Sequence, residues 1–207
     1  MIMQPHPGRT TDPLLGKMWK TKSARFNAHT RLKAKQSLST TATSFLAFYL
    51  VIVALIPLLY EASLPPGGPK FLSVLSLIIS IFLIIITLLE SAKNYSGEAD
   101  MMQKCALEIS EIYNQFQALT LEEANSRRPE FSITYSDILK THQLNHNDVD
   151  YIRFELMFHK DLQLSRVSLT FSFIRYVALI IAEYWLYFVL IIGPIVLGYL
   201  YRSKLGL

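Results

Sequence analysis

The sequence predicts an all-α, helical integral membrane protein with an N-terminal basic helix, a transmembrane hairpin, a cytosolic helical bundle and a third, C-terminal transmembrane helix. Three observations predict it. Across 207 residues the hydrophobic content is 51% and the mean hydropathy +0.29, above what a soluble domain shows. Residues 41–60, TATSFLAFYLVIVALIPLLY, and 71–89, FLSVLSLIISIFLIIITLL, carry no charge, and each is long enough to cross roughly 30 Å of hydrocarbon at ~1.5 Å per residue. Elsewhere the apolar residues recur with helical period, and no strand-period pattern competes.

Residues 1–13, MIMQPHPGRTTDP, have no periodicity and read as a flexible arm. A basic helix over 14–38 leads to the first span. Eight of the 20 Lys and Arg precede that span against one acid, Asp12, whereas the 61–70 loop EASLPPGGPK holds only Glu61 and Lys70. The positive-inside rule then puts the N-terminus in the cytoplasm, the 61–70 loop outside and residues 90–175 back inside. The lysines of the basic helix suit anionic headgroups; contact with an acidic partner or ligand is the other reading. The Pro- and Gly-rich loop stops the first helix and allows a tight reversal.

The second span, 71–89, carries hydroxyls at Ser73, Ser76, Ser80 and Thr87, with Ser91 just beyond; they fall within a sector about 60° wide at 100° per residue. Ile78, Phe82, Ile85 and Leu89 lie opposite. The hydroxyl face either packs against a helix or lines water in an assembly. The span is expected to run on into a cytosolic helix, with Gly97 a weak point. There Met102, Ile109, Phe116 and Cys105, Ile112, Leu119 take heptad positions a and d, with Ala99, Ala106 and Tyr113 at e, the face of a bundle helix and a candidate oligomer surface.

Arg127, Arg128 and Pro129 are expected to break the chain before two shorter helices, the second capped by Asn147 with Asp148 and Asp150 in its first turn. These helices complete a cytosolic stretch of 91–175. The window 177–201 is a third span interrupted by one ionisable residue, Glu183. Such a residue faces the headgroups, a bundle interior or a water path. Its crossing would leave Arg202 and Lys204 outside, against the positive-inside tendency.

The stretch KMWKTKSARFNAHTRLKAKQS before the hairpin, then YSDIL and NHNDVDY, resembles the SLATT domain, the two-transmembrane effector module found with nucleotide-sensing bacterial conflict systems. Trp19, Thr21, Arg25, Arg31, Leu32, Tyr135, Ile138, Leu139, Asn145, His146, Asp150 and Tyr151 resemble its subfamily five in particular, which is associated with reverse-transcriptase loci. The resemblance covers roughly 14–201, with 14–175 as the SLATT-like domain. It implies an effector that permeabilises the bacterial inner membrane, without catalytic residues, and points to a reverse transcriptase or a nucleotide-second-messenger sensor as partner.

His142, His146 and Asp150 are spaced i, i+4, i+8, which on one helix would align metal ligands, but QLNHND reads as a loop into an N-cap. No phosphate loop, nucleophile elbow or zinc spacing appears. No metal, cofactor, enzymatic activity or direct nucleic-acid binding is expected. Two functions stay open: a homo-oligomeric pore in the lipid bilayer that acts by abortive infection, and a non-conducting anchor or scaffold whose cytosolic helices hold a partner. The lone Cys105 excludes an intrachain disulfide.

Overall fold

A computed structural model describes residues 12–60, 62 and 64–201. The arm through residue 11, Glu61, Arg202 and Lys204 lie outside the described residues. Among the described residues every regular element is a helix, in the order α1 (Pro13–Leu59), α2 (Gly68–Ala92), α3 (Tyr95–Ala118), α4 (Leu121–His142), α5 (Asp148–Met157) and α6 (Arg166–Tyr201). It divides into two units, one formed by the chain through Ala34 with Tyr95–Ala182, the other by Lys35–Asn94 with the chain from Glu183 onward.

The first unit is a helical bundle with a conventional core. Leu15, Met18 and Trp19 of α1 meet Cys105, Ile109, Ile112, Tyr113 and Phe116 of α3, Phe131 and Tyr135 of α4, and Phe154 of α5. The a, d and e positions read from the sequence of α3 are therefore spent inside the chain. Met102, Cys105, Ile109, Ile112 and Phe116 are buried, and Leu119 packs against the same core. They are not an oligomer surface, because burying a wide apolar stripe against α1 and α4 leaves none of it for a second copy.

Two helix boundaries differ from those the sequence suggests. The chain breaks at Lys93 and Asn94, not at Gly97, with Asn94 in the left-handed region at φ 45°. Among residues with a side chain, Asn is one of the few that adopt this conformation readily. Pro129 lies inside α4 instead of ending a helix. Ala124 before it and Phe131 and Tyr135 after it are all buried on one face, and this packing holds the helix through the missing N–H. The actual start is a capping box: Glu123 N–H donates to Thr120 Oγ1 at 3.4 Å, and Thr120 N–H donates to Glu123 Oε2 at 2.9 Å.

The second unit contains the apolar length of α1, all of α2 and the greater part of α6. Each of these three helices is long and apolar enough to cross a membrane. α2 begins at a tight reversal where Gly67 takes φ 85°, a conformation open to glycine, and Pro69 occupies the first turn. No residue of α2 is buried, and Leu77, Phe82, Ile84 and Leu88 are each more than half exposed. In water such a surface would aggregate; in hydrocarbon it is the proper face.

Candidate functional site

In the bundle unit, residues far apart in the sequence close on Asp150. This carboxylate is 1% exposed. Arg31 donates to it twice, Nε to Oδ1 at 2.8 Å and Nη2 to Oδ2 at 3.0 Å. Asn147 N–H donates to Oδ2 at 3.1 Å, so the same side chain also caps α5. One turn before Arg31, Asn27 Nδ2 donates to the Asp150 carbonyl at 3.0 Å. α1 thus presents an Asn and an Arg, four residues apart on one face, to a single residue of α5.

Around this junction stand the other motif residues. Trp19 sets its ring edge-to-face against Phe154 at 4.8 Å and Phe158 at 5.0 Å. Thr21 and Tyr135 share a hydroxyl hydrogen bond of 2.8 Å. Tyr151 stacks obliquely on Phe154. Arg25 is 4% exposed, and its charge acts on Cys105, Tyr135 and His146. Burial, then the Arg25 guanidinium, holds the His146 pKa below the ordinary imidazole value. Asn145 remains exposed in the loop before α5.

Trp19, Arg25 and Arg31 of the basic helix turn their side chains into the protein core. Lys22 lies with its ammonium 3.7 Å from the centre of the Tyr113 ring, and burial lowers its pKa to about 8. His142, His146 and Asp150 do not align: His142 Nε2 lies 3.0 Å from Glu108 Oε2, while Asp150 belongs to Arg31. Helix α4 ends at His142, which breaks the i, i+4, i+8 register.

The second unit contains a polar knot. Lys35 of α1 donates to Glu183 Oε1 of α6 at 2.8 Å, with the two side chains 17% and 15% exposed. Ser39 and Tyr187 both donate to Glu90 Oε2 of α2, at 2.8 Å and 2.6 Å. Lys93 pairs with the other oxygen of Glu90. One carboxylate thereby ties three helices together. Further along, Tyr49 donates to the Ile191 carbonyl at 2.7 Å.

The order of these pairs, Lys35 with Glu183 and then Tyr49 with Ile191, makes α1 and α6 parallel here, with α2 antiparallel to α1. Glu183 is consequently level with the polar start of the α1 span. Its charge is met by Lys35 within the chain. Beside the knot a cavity of about 450 Å³ opens, walled by Ala42, Ile86, Leu89, Leu186 and Leu190, with Glu90 and Lys93 as its charged lining.

The hydroxyls of α2 do not form one uniform face. Ser76 and Ser80 are half-buried, at the margin of the side that packs, whereas Ser73 and Thr87 are exposed. Three of them donate to their own helix: Ser73 to the Pro69 carbonyl, Ser76 to Ser73, and Ser80 to both Ser76 and Leu77. The sequence points to this strip but misses Glu90 and Tyr187, although a carboxylate closing an apolar span is a signal of the same kind as Glu183.

A family model described as SMODS and SLOG-associating 2TM effector domain family 5 (SLATT family 5) matches residues 10–200. The chain belongs to this SLATT family. The match includes α6, so the third apolar helix of this SLATT chain lies within the family domain although the family description counts two spans. No curated protein and no solved structure matches it. Together with its three apolar helices, membership makes this a multi-pass membrane protein of effector type.

Proposed function

We propose that this SLATT chain is a pore-forming effector of bacterial antiviral defence, set in the inner membrane with its N-terminus in the cytoplasm, which oligomerises and permeabilises the membrane to arrest the infected cell. The observation that supports it most is the second unit itself: three apolar helices joined by a half-buried carboxylate, with exposed hydroxyls at Ser73 and Thr87 on α2. Three helices are too few to enclose water, so conduction requires several copies. The outward hydroxyls are then the groups that meet at the shared axis, and the release of the family-associated sensor, a second-messenger or reverse-transcriptase partner, is the trigger. No enzymatic step and no direct contact with nucleic acid belong to this reading.

The experiment follows depolarisation of expressing cells with a voltage-sensitive dye. Ser73→Leu with Thr87→Leu introduces no clash, since both positions face outward, and is expected to abolish depolarisation while membrane insertion is retained. Unchanged depolarisation would end the pore-lining assignment. A second reading has its own observation: because Ser73, Ser76 and Ser80 satisfy themselves on helix carbonyls, they need no water. That favours a non-conducting anchor holding a partner, and it predicts no conductance in planar bilayers under any activating condition.

A further inference from the structure

We propose that the cavity beside Glu90 in the second unit holds one phospholipid with a primary ammonium in its headgroup, an acyl chain lying between α2 and α6 and the headgroup resting on Glu90 and Lys93. The polar groups of the lining are gathered at one end. With α1 and α6 parallel and α2 opposed to them, Ser39, Glu90 and Lys93 lie where the spans start and finish, while Thr43, Ile86 and Leu190 lie about one turn or more deeper. The floor, made by Ser39, Ala42 and Tyr187, is buried, whereas Leu89 and Leu186 on the walls are exposed, so the cavity opens sideways between α2 and α6. Polar at the end of the spans and apolar further in, it has the polarity order of a lipid standing in one leaflet.

The volume, about 450 Å³, falls within the roughly 300–1,000 Å³ of small-molecule sites. Thr43 donates its hydroxyl to the Ser39 and Thr40 carbonyls of its own helix, so the deep end is apolar in effect and gives water nothing to bind. A hydrocarbon chain entering from the side fills it instead. At the polar end Glu90 and Lys93 pair and carry opposite unit charges, so this part of the lining has no net charge. It suits a zwitterion set antiparallel to that pair. A lysine ammonium has three donors, which allows Lys93 to serve a phosphodiester as well as Glu90. Glu90 Oε2 accepts from Ser39 and Tyr187, and Oε1 meets Lys93; an oxygen with two lone pairs can take a second donor there, the lipid ammonium. A phosphatidylcholine has no N–H to offer, and a phosphatidylglycerol brings a net negative charge that this pair does not balance. The site rests on the three spans and not on the pore reading.

The test takes the full chain, delipidated in neutral detergent, and titrates it with dioleoyl phosphatidylethanolamine and with the phosphatidylcholine, phosphatidylglycerol and diacylglycerol of the same chains, counting bound molecules by native mass spectrometry. One phosphatidylethanolamine per chain is expected, saturably and several-fold more tightly than the other three. Lys93→Gln is expected to erase the preference over diacylglycerol. Ala42→Leu pushes side-chain volume up from the floor and is expected to weaken retention of all four several-fold with helical ellipticity unchanged. No saturable binding, or equal retention by Ala42→Leu, overturns the proposal; phosphatidylcholine or phosphatidylglycerol held as tightly as phosphatidylethanolamine overturns the headgroup assignment. If a second copy covers the cavity instead, dimers that lipid does not displace will appear, and these too overturn it. Should Ala42→Leu fail to fold, Lys93→Gln decides, since its side chain is 49% exposed: an undiminished preference for phosphatidylethanolamine over diacylglycerol in that variant refutes the site.

Discussion

Removing Arg31 should cost this protein more than any other single charge. With Arg31→Met, Asp150 keeps its burial at 1% exposure but loses contacts of 2.8 Å and 3.0 Å, and only the Asn147 N–H at 3.1 Å remains on its oxygens. Stranding a buried carboxylate in this way costs about 3–5 kcal/mol. For a chain of this size each kcal/mol lowers the midpoint by roughly 2–4 °C, so the drop should be about 6–20 °C. Thermal unfolding of the detergent-solubilised chain, followed by helical ellipticity, measures it. The companion variant Arg31→Met with Asp150→Leu removes both charges and should return to within about 1 kcal/mol of the parent, apart from the lost α5 cap. A midpoint shift below about 2 °C in the single variant, or a double variant as damaged as the sum of its parts, would show that the pair does not hold α1 to α5.

Three further outcomes are expected. Lys35→Glu should lower the yield of folded protein by placing two carboxylates together, and the reversed pair with Glu183→Lys should restore it, with a coupling of roughly 1–3 kcal/mol in a double-mutant cycle. For Lys22 the folded pKa of about 8 lies below the unfolded value of 10.5. Between these the unfolded chain holds more protons, so this group makes stability rise with pH across that window. Lys22→Met should remove that contribution, and unchanged pH profiles would contradict the burial of the ammonium. Cys105, fully buried and with its pKa raised, should resist a thiol reagent in the native chain and react on unfolding; rapid native labelling would place it elsewhere.

The fold class was legible because charge-free runs of about 20 residues and a 3.6 period leave little choice. Asn147 and its acidic first turn were legible for the same local reason. Boundaries were not: Pro129 looks like a break until Phe131 and Tyr135 are seen buried beyond it, and Thr120 with Glu123 is a capping signature easily passed over beside Arg127 and Arg128. The site was legible only as a set of names. That Arg31 meets Asp150 across 119 residues of sequence, or that Glu90 draws in both Ser39 and Tyr187, is tertiary information that no local pattern carries. Glu183 was singled out for its charge within an apolar window, and its partner Lys35 was read only as one of eight headgroup-side charges.

The Glu90 knot also imposes an order on biogenesis. When the hairpin of α1 and α2 leaves the ribosome, Glu90 already has Ser39 and Lys93, but Tyr187 is still 97 residues away and the partner of Lys35 is 148 residues away. The bonds that tie α6 to α1 and α2, Tyr187 to Glu90 and Lys35 to Glu183, therefore form only after the last helix has been made.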